Sequence, residues 1–201
     1  MAAVTGSVQQ ALEWRTPARL AAAFATRADS AALIDVAYST YDAPFGPLVL
    51  GGTPQGLVRL AFDPVDVVVE ELAARVSPRV LALASRFDVI RRQLDEYFAG
   101  RRKAFDIPID RQLTGSAFRQ AVLGAADAIP YGSVSTYSEI AWAAGNSAAV
   151  RAVGSALGAN PVCIVVPCHR VLRSDGSISG YAGGPERKAF LLRLEAGGAT
   201  K

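Results

Sequence analysis

The chain's single histidine, His169, directly follows one of its only two cysteines, Cys168, in the stretch Ile164-Val165-Val166-Pro167-Cys168-His169-Arg170-Val171. A thiol becomes a good nucleophile when its thiolate is stabilised, and a neighbouring imidazole does that. Neighbours in an extended chain point to opposite sides. His169 therefore reaches the sulfur only if the backbone turns at Pro167-Cys168, or through an intervening water. The dipeptide alone leaves two readings open: nucleophilic catalysis, or a buried thiol beside a hydrogen-bonded imidazole. One histidine and two cysteines are too few soft ligands for a structural zinc, so neither a metal nor another cofactor is expected. A papain-like arrangement needs Cys and His far apart in sequence with separate helpers, which this pattern does not offer.

The elements that must hold these residues belong to a chain of 201 residues, 51% of them hydrophobic, which is ample for a real core. No apolar run approaches the roughly 20 residues of a membrane span; the Ala-rich stretch from Leu20 to Ala25 is flanked by Arg19 and Arg27. There is no basic start followed by an apolar core, and Glu13 comes early, so a secretory signal is not expected. Cys163 and Cys168, five positions apart in a proline-bounded stretch, make a poor disulfide framework and suit a reducing compartment. The expectation is a cytoplasmic, soluble protein. Residues 1–100 carry 9 Lys and Arg against 11 Asp and Glu, whereas residues 101–201 carry 12 against 7. That asymmetry suggests a polyanionic partner for the second half, with uneven surface charge as the other reading.

Residues 1–32 read as a leader, with Thr16-Pro17 as a helix start and a helical run from Ala18 to about Thr26. Between Ile34 and Phe62 three short β-type runs are punctuated by Pro44, Gly46-Pro47 and Thr53-Pro54-Gln55-Gly56, predicting an antiparallel meander. Asp63-Pro64 starts a helix to about Val76, and a second runs from about Arg86 to before Gly100. The run Ala104-Phe-Asp-Ile-Pro-Ile-Asp110 predicts a further strand. The first domain, residues 33–112, is thus expected to be α+β.

From residue 113 the pattern turns helical. Ser116 to Ala128 carries apolar residues at helical spacing, and Thr136-Tyr137-Ser138-Glu139 forms a capping box opening a helix to about Ala144. Gly145-Asn146 turns the chain into a second short helix from Ser147 to Leu157. Two short helices with a tight Gly turn suit a helix-turn-helix, with an ordinary αα-hairpin as the alternative. The small residues Ala148, Ala149, Ala152, Gly154, Ser155 and Ala156 would let that helix lie close against another surface. Val162 to Val166 is expected to enter the core as an extended segment, followed by a hairpin turning at Ser174-Asp175-Gly176 and a helix from Pro185 to about Glu195.

The constellation as a whole is far more specific than the dipeptide. The segments "PYGSVSTYSEIA", "AVRAVGSALGANP", "NPVCIVVPCHRV", "GYAGG" and "ERKAFLLRLE" closely resemble the O6-alkylguanine-DNA alkyltransferases, the methylated-DNA-protein-cysteine methyltransferases. The resemblance spans roughly residues 34–196. It implies a small ribonuclease-H-like α+β domain followed by a mostly helical DNA-binding domain, residues 113–201, carrying the helix-turn-helix and the active-site cysteine.

The resemblance further implies that Cys168 accepts an alkyl group from guanine O6, and from thymine O4, in duplex DNA, once per molecule. His169 would act as a water-mediated base oriented by Glu195, and Asn160 would hold the turn before the active-site segment. Tyr137, Val171, Tyr181 and Ala182 would form the pocket for the flipped base. Arg151 would enter the duplex through the minor groove in place of that base, with Ala149, Ala152, Gly154 and Ser174 along the DNA face; a protein acting on a stacked base must extrude it. The partner is double-stranded DNA containing O6-alkylguanine, bound by a monomer, with no membrane. The alternatives are a non-catalytic lesion binder, against which the presence of Cys168 speaks, and an alkylation-responsive transcriptional regulator, for which no sensor domain is evident. Cys163 departs from the family pattern and reads as a small buried hydrophobe or, alternatively, a second redox or alkylation site.

Overall fold

A computed structural model describes residues 18–197; the proposed helix start at Thr16-Pro17 lies outside them. Helix α1 (Ala18–Ser30) extends four residues beyond the expected end and docks through buried Ala25 and Ala28, with Asp29 paired to Arg86. The expected meander follows as β1 (Val36–Ala43), β2 (Gly46–Thr53) and β3 (Gly56–Ala61), paired antiparallel in sequence order. Helix α2 (Val65–Arg75) begins after Pro64, whose fixed φ suits a helix start.

A three-residue strand, β4 (Val80–Ala82), then lies parallel to β1 and completes the sheet order β3-β2-β1-β4. Helix α3 (Asp88–Phe98) closes this half. Val36, Val49 and Val58 cluster with Val68 and Leu72 of α2, while Leu48, Leu50 and Leu60 share the main core with α3 and the second half of the chain; a register shift in the β2–β3 pairing at Gly51/Gly52 lets Val58 and Leu60, two residues apart, join different clusters.

The free edge of β3 is where the two halves join. Leu57 N–H donates to Pro108 O at 2.9 Å, and Asp110 N–H donates to Leu57 O at 3.0 Å. Leu60 N–H donates to Pro161 O at 2.8 Å, and Cys163 N–H donates to Leu60 O at 3.2 Å. The expected strand at residues 104–110 is only this isolated pairing around Ile109. Pro108 lacks the N–H that a continuing ladder needs. The same edge holds residues 161–163 immediately before the candidate site segment, so the sheet positions the site.

The second half contains α4 (Ala117–Asp127), capped by Ser116, and β5 (Ser135–Thr136) leading into α5 (Tyr137–Ala143). The capping box is present: Glu139 N–H donates to the Thr136 hydroxyl at 3.2 Å, and Thr136 N–H donates to the Glu139 carboxylate at 2.7 Å. Helix α6 (Val150–Gly158) starts three residues later than expected, because Ala149 N–H closes a turn onto Asn146 O. After a single 3₁₀ turn at Cys168–Arg170 comes β6 (Val171–Leu172), and α7 (Pro185–Glu195) ends the described fold. The expected hairpin does not form: β6 pairs parallel with β5, and the Ser174–Gly176 turn is closed by local bonds, Arg173 N–H to Ser177 O at 3.1 Å, Gly176 N–H to Arg173 O at 2.9 Å and Ser177 N–H to Asp175 Oδ1 at 2.9 Å.

Candidate active site and DNA face

The segment 162–166 is buried as expected but is not extended. Val166 N–H donates back to Val162 O at 3.0 Å, and Val165 N–H donates to Cys163 O at 2.8 Å in a γ-turn centred on Ile164. Ile164 has φ 72°, a left-handed conformation that is an outlier for a β-branched residue. Its side chain is fully buried, and packing holds this costly conformation in place. A second turn of the inverse γ type, at Pro167 (φ −83°, ψ 58°), is closed by Cys168 N–H to Val166 O at 2.8 Å. The chain thus doubles back before the site. Cys168, His169 and Arg170 then occupy one 3₁₀ turn, in which successive side chains point about 120° apart. The neighbours in sequence diverge, as the chemistry requires.

Cys168 is buried and unoxidised. Asn160, between α6 and this segment, organises its surroundings: Nδ2 donates to Cys168 Sγ at 3.0 Å and to Val166 O at 2.9 Å, while Oδ1 accepts from Val162 N–H at 3.0 Å. The Cys168 thiol is held below its ordinary value. Hydrogen bonding from Cys163 is the largest cause; burial opposes it; Asn160 and the nearby Lys188 charge add to it. Cys163 itself is pushed well up by that hydrogen bond and by burial. The stronger acid of the pair is the one expected to react.

His169 is fully buried and meets Glu195, at the end of α7, through Nε2 to Oε1 at 2.9 Å. Glu195 also accepts from Arg170 Nε at 2.8 Å, Arg170 Nη2 at 2.9 Å, Tyr97 Oη at 2.7 Å and Gly132 N–H at 3.2 Å. Burial pushes this carboxyl up, but the bonds from His169, Arg170 and Tyr97 outweigh it and hold the pKa down to about 2. An ionised acceptor fixes the tautomer: Nε2 carries the hydrogen, and Nδ1, which has no protein partner, keeps its lone pair. Burial lowers the His169 pKa despite Glu195, so the imidazole is a neutral base near pH 7. Gly132, with φ 75°, brings its N–H to Glu195 in a conformation that favours glycine.

The other expected site residues fall around this centre. Tyr137 Oη hydrogen-bonds Ser179 Oγ at 2.5 Å, and Ser179 also accepts from Lys188 Nζ at 2.9 Å. Val171 O, expected to face the base, accepts from Lys188 Nζ at 2.6 Å and keeps one lone pair. Burial lowers the Lys188 pKa to about 8. Tyr181 turns a buried hydroxyl without a protein partner inward and packs edge-on against Phe62, with ring centroids 5.5 Å apart. Gly183 permits this, since a Cβ there would lie 2.9 Å from the Phe62 ring. Ala182 is exposed at the rim of a cavity that also reaches Asn160 and Cys163.

Arg151 lies exposed in the first turn of α6 and makes no ion pair among the described residues; Ala152 is exposed beside it, with Ala149 half-buried one turn edge away. Gly154 is half-buried, and a Cβ built there would stand 3.8 Å from Tyr137 Cε1, which brings α6 against α5. Ser174 is exposed on the turn after β6. Sequence reasoning missed Arg170, Lys188, Tyr97 and Gly132. Arg170 was signalled by its place beside His169; nothing local marks Tyr97. Among the described residues no group of three or more His, Cys, Asp or Glu side chains gathers as a metal site, and no helix is long and apolar enough to cross a membrane.

Fold and site together define a two-domain protein: a small mixed α+β domain, then a mostly helical one that buries a lowered-pKa cysteine beside a carboxylate-bound histidine. Residues 36–111 match the model for the 6-O-methylguanine DNA methyltransferase ribonuclease-like domain, and residues 117–197 match the DNA binding domain of the same family. A methylated-DNA–protein-cysteine methyltransferase of Methanosarcina acetivorans is 40% identical over 158 residues, 79% of this chain and 97% of that one. Its Mycobacterium tuberculosis namesake is 42% identical, over 79% and 91%. The crystal structure of Mycobacterium tuberculosis OGT in complex with DNA superposes with TM-score 0.70 at 40% identity, covering 80% of this chain and 93% of that one. The chain belongs to the methylated-DNA–protein-cysteine methyltransferase family.

Proposed function

We propose that this protein repairs duplex DNA by moving an alkyl group from guanine O6, and from thymine O4, onto Cys168, once per molecule. The observation that carries the reading is the buried Cys168 thiol, which accepts from Asn160 and lies next in sequence to an imidazole whose free nitrogen is basic. His169 Nδ1 takes the thiol proton through a water, and Glu195 steadies the resulting imidazolium. The thiolate then attacks the alkyl carbon; the S–C bond forms as the C–O6 bond breaks. The electron pair goes to the guanine, which is reprotonated as it leaves. Tyr137, Tyr181, Ala182 and the carbonyls of Cys168 and Val171 shape the base pocket.

The domains run 33–112 and 113–201, after a leader of 1–32. The α5–α6 pair acts as a helix-turn-helix laid in the minor groove, with Arg151 filling the space of the extruded base and Ala149, Ala152, Gly154 and Ser174 along the DNA. The protein works as a cytoplasmic monomer. Incubation with a duplex carrying O6-methylguanine, followed by mass analysis, should place one methyl group on the peptide containing Cys168; binding without that gain would overturn the reading in favour of a lesion binder.

A further inference from the structure

We propose that Cys163 is a resolving thiol for Cys168: a peroxide-class oxidant drives the pair into an intrachain disulfide that reversibly caps the acceptor sulfur. The capping consequence rests on the transfer role of Cys168; the disulfide itself does not.

The backbone makes the pair. Five residues of extended chain would span about 16 Å, far more than the roughly 4.4–6.8 Å between Cα atoms that a disulfide tolerates. Here the γ-turns at Ile164 and Pro167 fold the segment back on itself. Both sulfurs consequently contact the same residue: Cys163 Sγ lies 3.5 Å from Asn160 O, and Cys168 Sγ accepts from Asn160 Nδ2 at 3.0 Å. Both are free and buried, with relative exposures of 1% and 5%. Cys163 also lines a cavity of about 390 Å³ with Asn160, Phe62 and Ala182.

The chemistry divides between the two sulfurs. The Cys168 thiolate attacks a peroxide oxygen; an S–O bond forms, the O–O bond breaks, and the oxidant leaves as hydroxide or alkoxide. The Cys163 sulfur then displaces the sulfenyl oxygen; the S–S bond forms, the S–O bond breaks, and hydroxide departs with the Cys163 proton as water. Two thiols are oxidised by two electrons in all, and the peroxide takes both. Oxidation of Cys168 also abolishes the thiolate whose charge and hydrogen bond hold the Cys163 proton in place, which frees Cys163 to react. An acceptor that reacts only once would otherwise be lost by passing to the sulfinic acid; the disulfide is recovered by any small thiol.

The test treats the full-length protein with a modest excess of hydrogen peroxide and follows intact mass, peptide 152–170 and thiol labelling. Wild type should lose two hydrogen masses, resist alkylating label at both cysteines, and regain both thiols with dithiothreitol. Cys163→Ala and Cys163→Ser should lose no hydrogens and should gain two oxygens at Cys168, which dithiothreitol does not reverse. Sulfinic acid at Cys168 in the wild type, a disulfide between two molecules, or an unmodified Cys168 would each overturn the proposal. An untreated wild-type arm given O6-methylguanine duplex reports transfer separately: failure there removes the transfer reading while leaving the disulfide measurement intact. Peroxide-treated wild type should accept no methyl group until it is reduced.

Discussion

Tyr97, near the end of α3 in the first domain, donates its hydroxyl at 2.7 Å to the same Glu195 oxygen that meets His169. The two residues are 98 positions apart. The ribonuclease-like half therefore reaches directly into the candidate relay and is more than a scaffold for it. A carboxylate at the C-terminal end of a helix is disfavoured by the helix dipole; Glu195 is held there by donors from three other elements.

Tyr97→Phe removes one of those donors without opening a cavity. A hydrogen bond to a charged group contributes about 1.5–3 kcal/mol, so stability in urea should fall by about 2 kcal/mol. Transfer to Cys168 should slow only several-fold, because His169 keeps its partner. A variant with unchanged stability would mean that the contact contributes nothing.

Acid should unfold this protein through Glu195. Its folded pKa of about 2 lies below the ordinary value of 4.5. The stabilisation is therefore fully present above about pH 4.5 and is lost as pH falls toward 2. The 2.5-unit difference corresponds to on the order of 3 kcal/mol. Urea midpoints measured from pH 6 down to pH 2.5 should decline most steeply in that window, and Glu195→Gln should flatten the decline.

Arg170→Gln leaves the same carboxylate buried with its bidentate partner gone. Breaking a buried pair from one side costs about 3–5 kcal/mol. The loss should be largest at pH 7 and should shrink below pH 5, where Glu195, no longer held down by Arg170, takes up a proton. Equal losses at both pH values would show that the guanidinium acts through packing alone.

The elements with local grammar were legible: the Thr136–Glu139 capping box, the Ser116 cap and the three-strand meander all follow from short-range chemistry. The pairing of His169 with Glu195 was reachable only through family resemblance, since 26 residues separate them. What failed depends on tertiary context. An apolar β-branched run reads as extended, and no propensity anticipates Ile164 at φ 72°, where the surrounding core overrides its preference. The strand expected at Ala104–Asp110 foundered on Pro108. β4 is three residues long and owes its existence to the neighbouring edge of β1. Tyr97 looks like any core aromatic until α7 is placed beside it.

Asn160 offers a sharper probe of the thiol. Asn160→Ala should raise the Cys168 pKa and cut the thiolate fraction near neutral pH, because a hydrogen bond that favours the thiolate is lost. Asn160→Asp keeps an acceptor for Val162 N–H but sets a negative charge beside the sulfur, so its Cys168 pKa should rise further than in the alanine variant although the turn is better preserved. Thiolate absorbance against pH gives both values. The reverse order would mean that Asn160 serves the turn and not the sulfur.

Arg151 separates DNA handling from chemistry. It is exposed at the start of α6, and no hydrogen bond or ion pair within the described residues engages it. Arg151→Ala should therefore leave folding within about 0.5 kcal/mol of wild type, as for surface substitutions generally. If the guanidinium occupies the space of an extruded base, its loss removes compensation for unstacking, which costs a few kcal/mol. Repair of O6-methylguanine in duplex should drop at least about tenfold, which requires only 1.4 kcal/mol, whereas transfer from the free base O6-benzylguanine should stay within about twofold. Arg151→Lys, which keeps the charge but not the planar fork, should recover binding more than it recovers repair. A parallel loss on duplex and free base would place the defect in the pocket and remove Arg151 from the extrusion step.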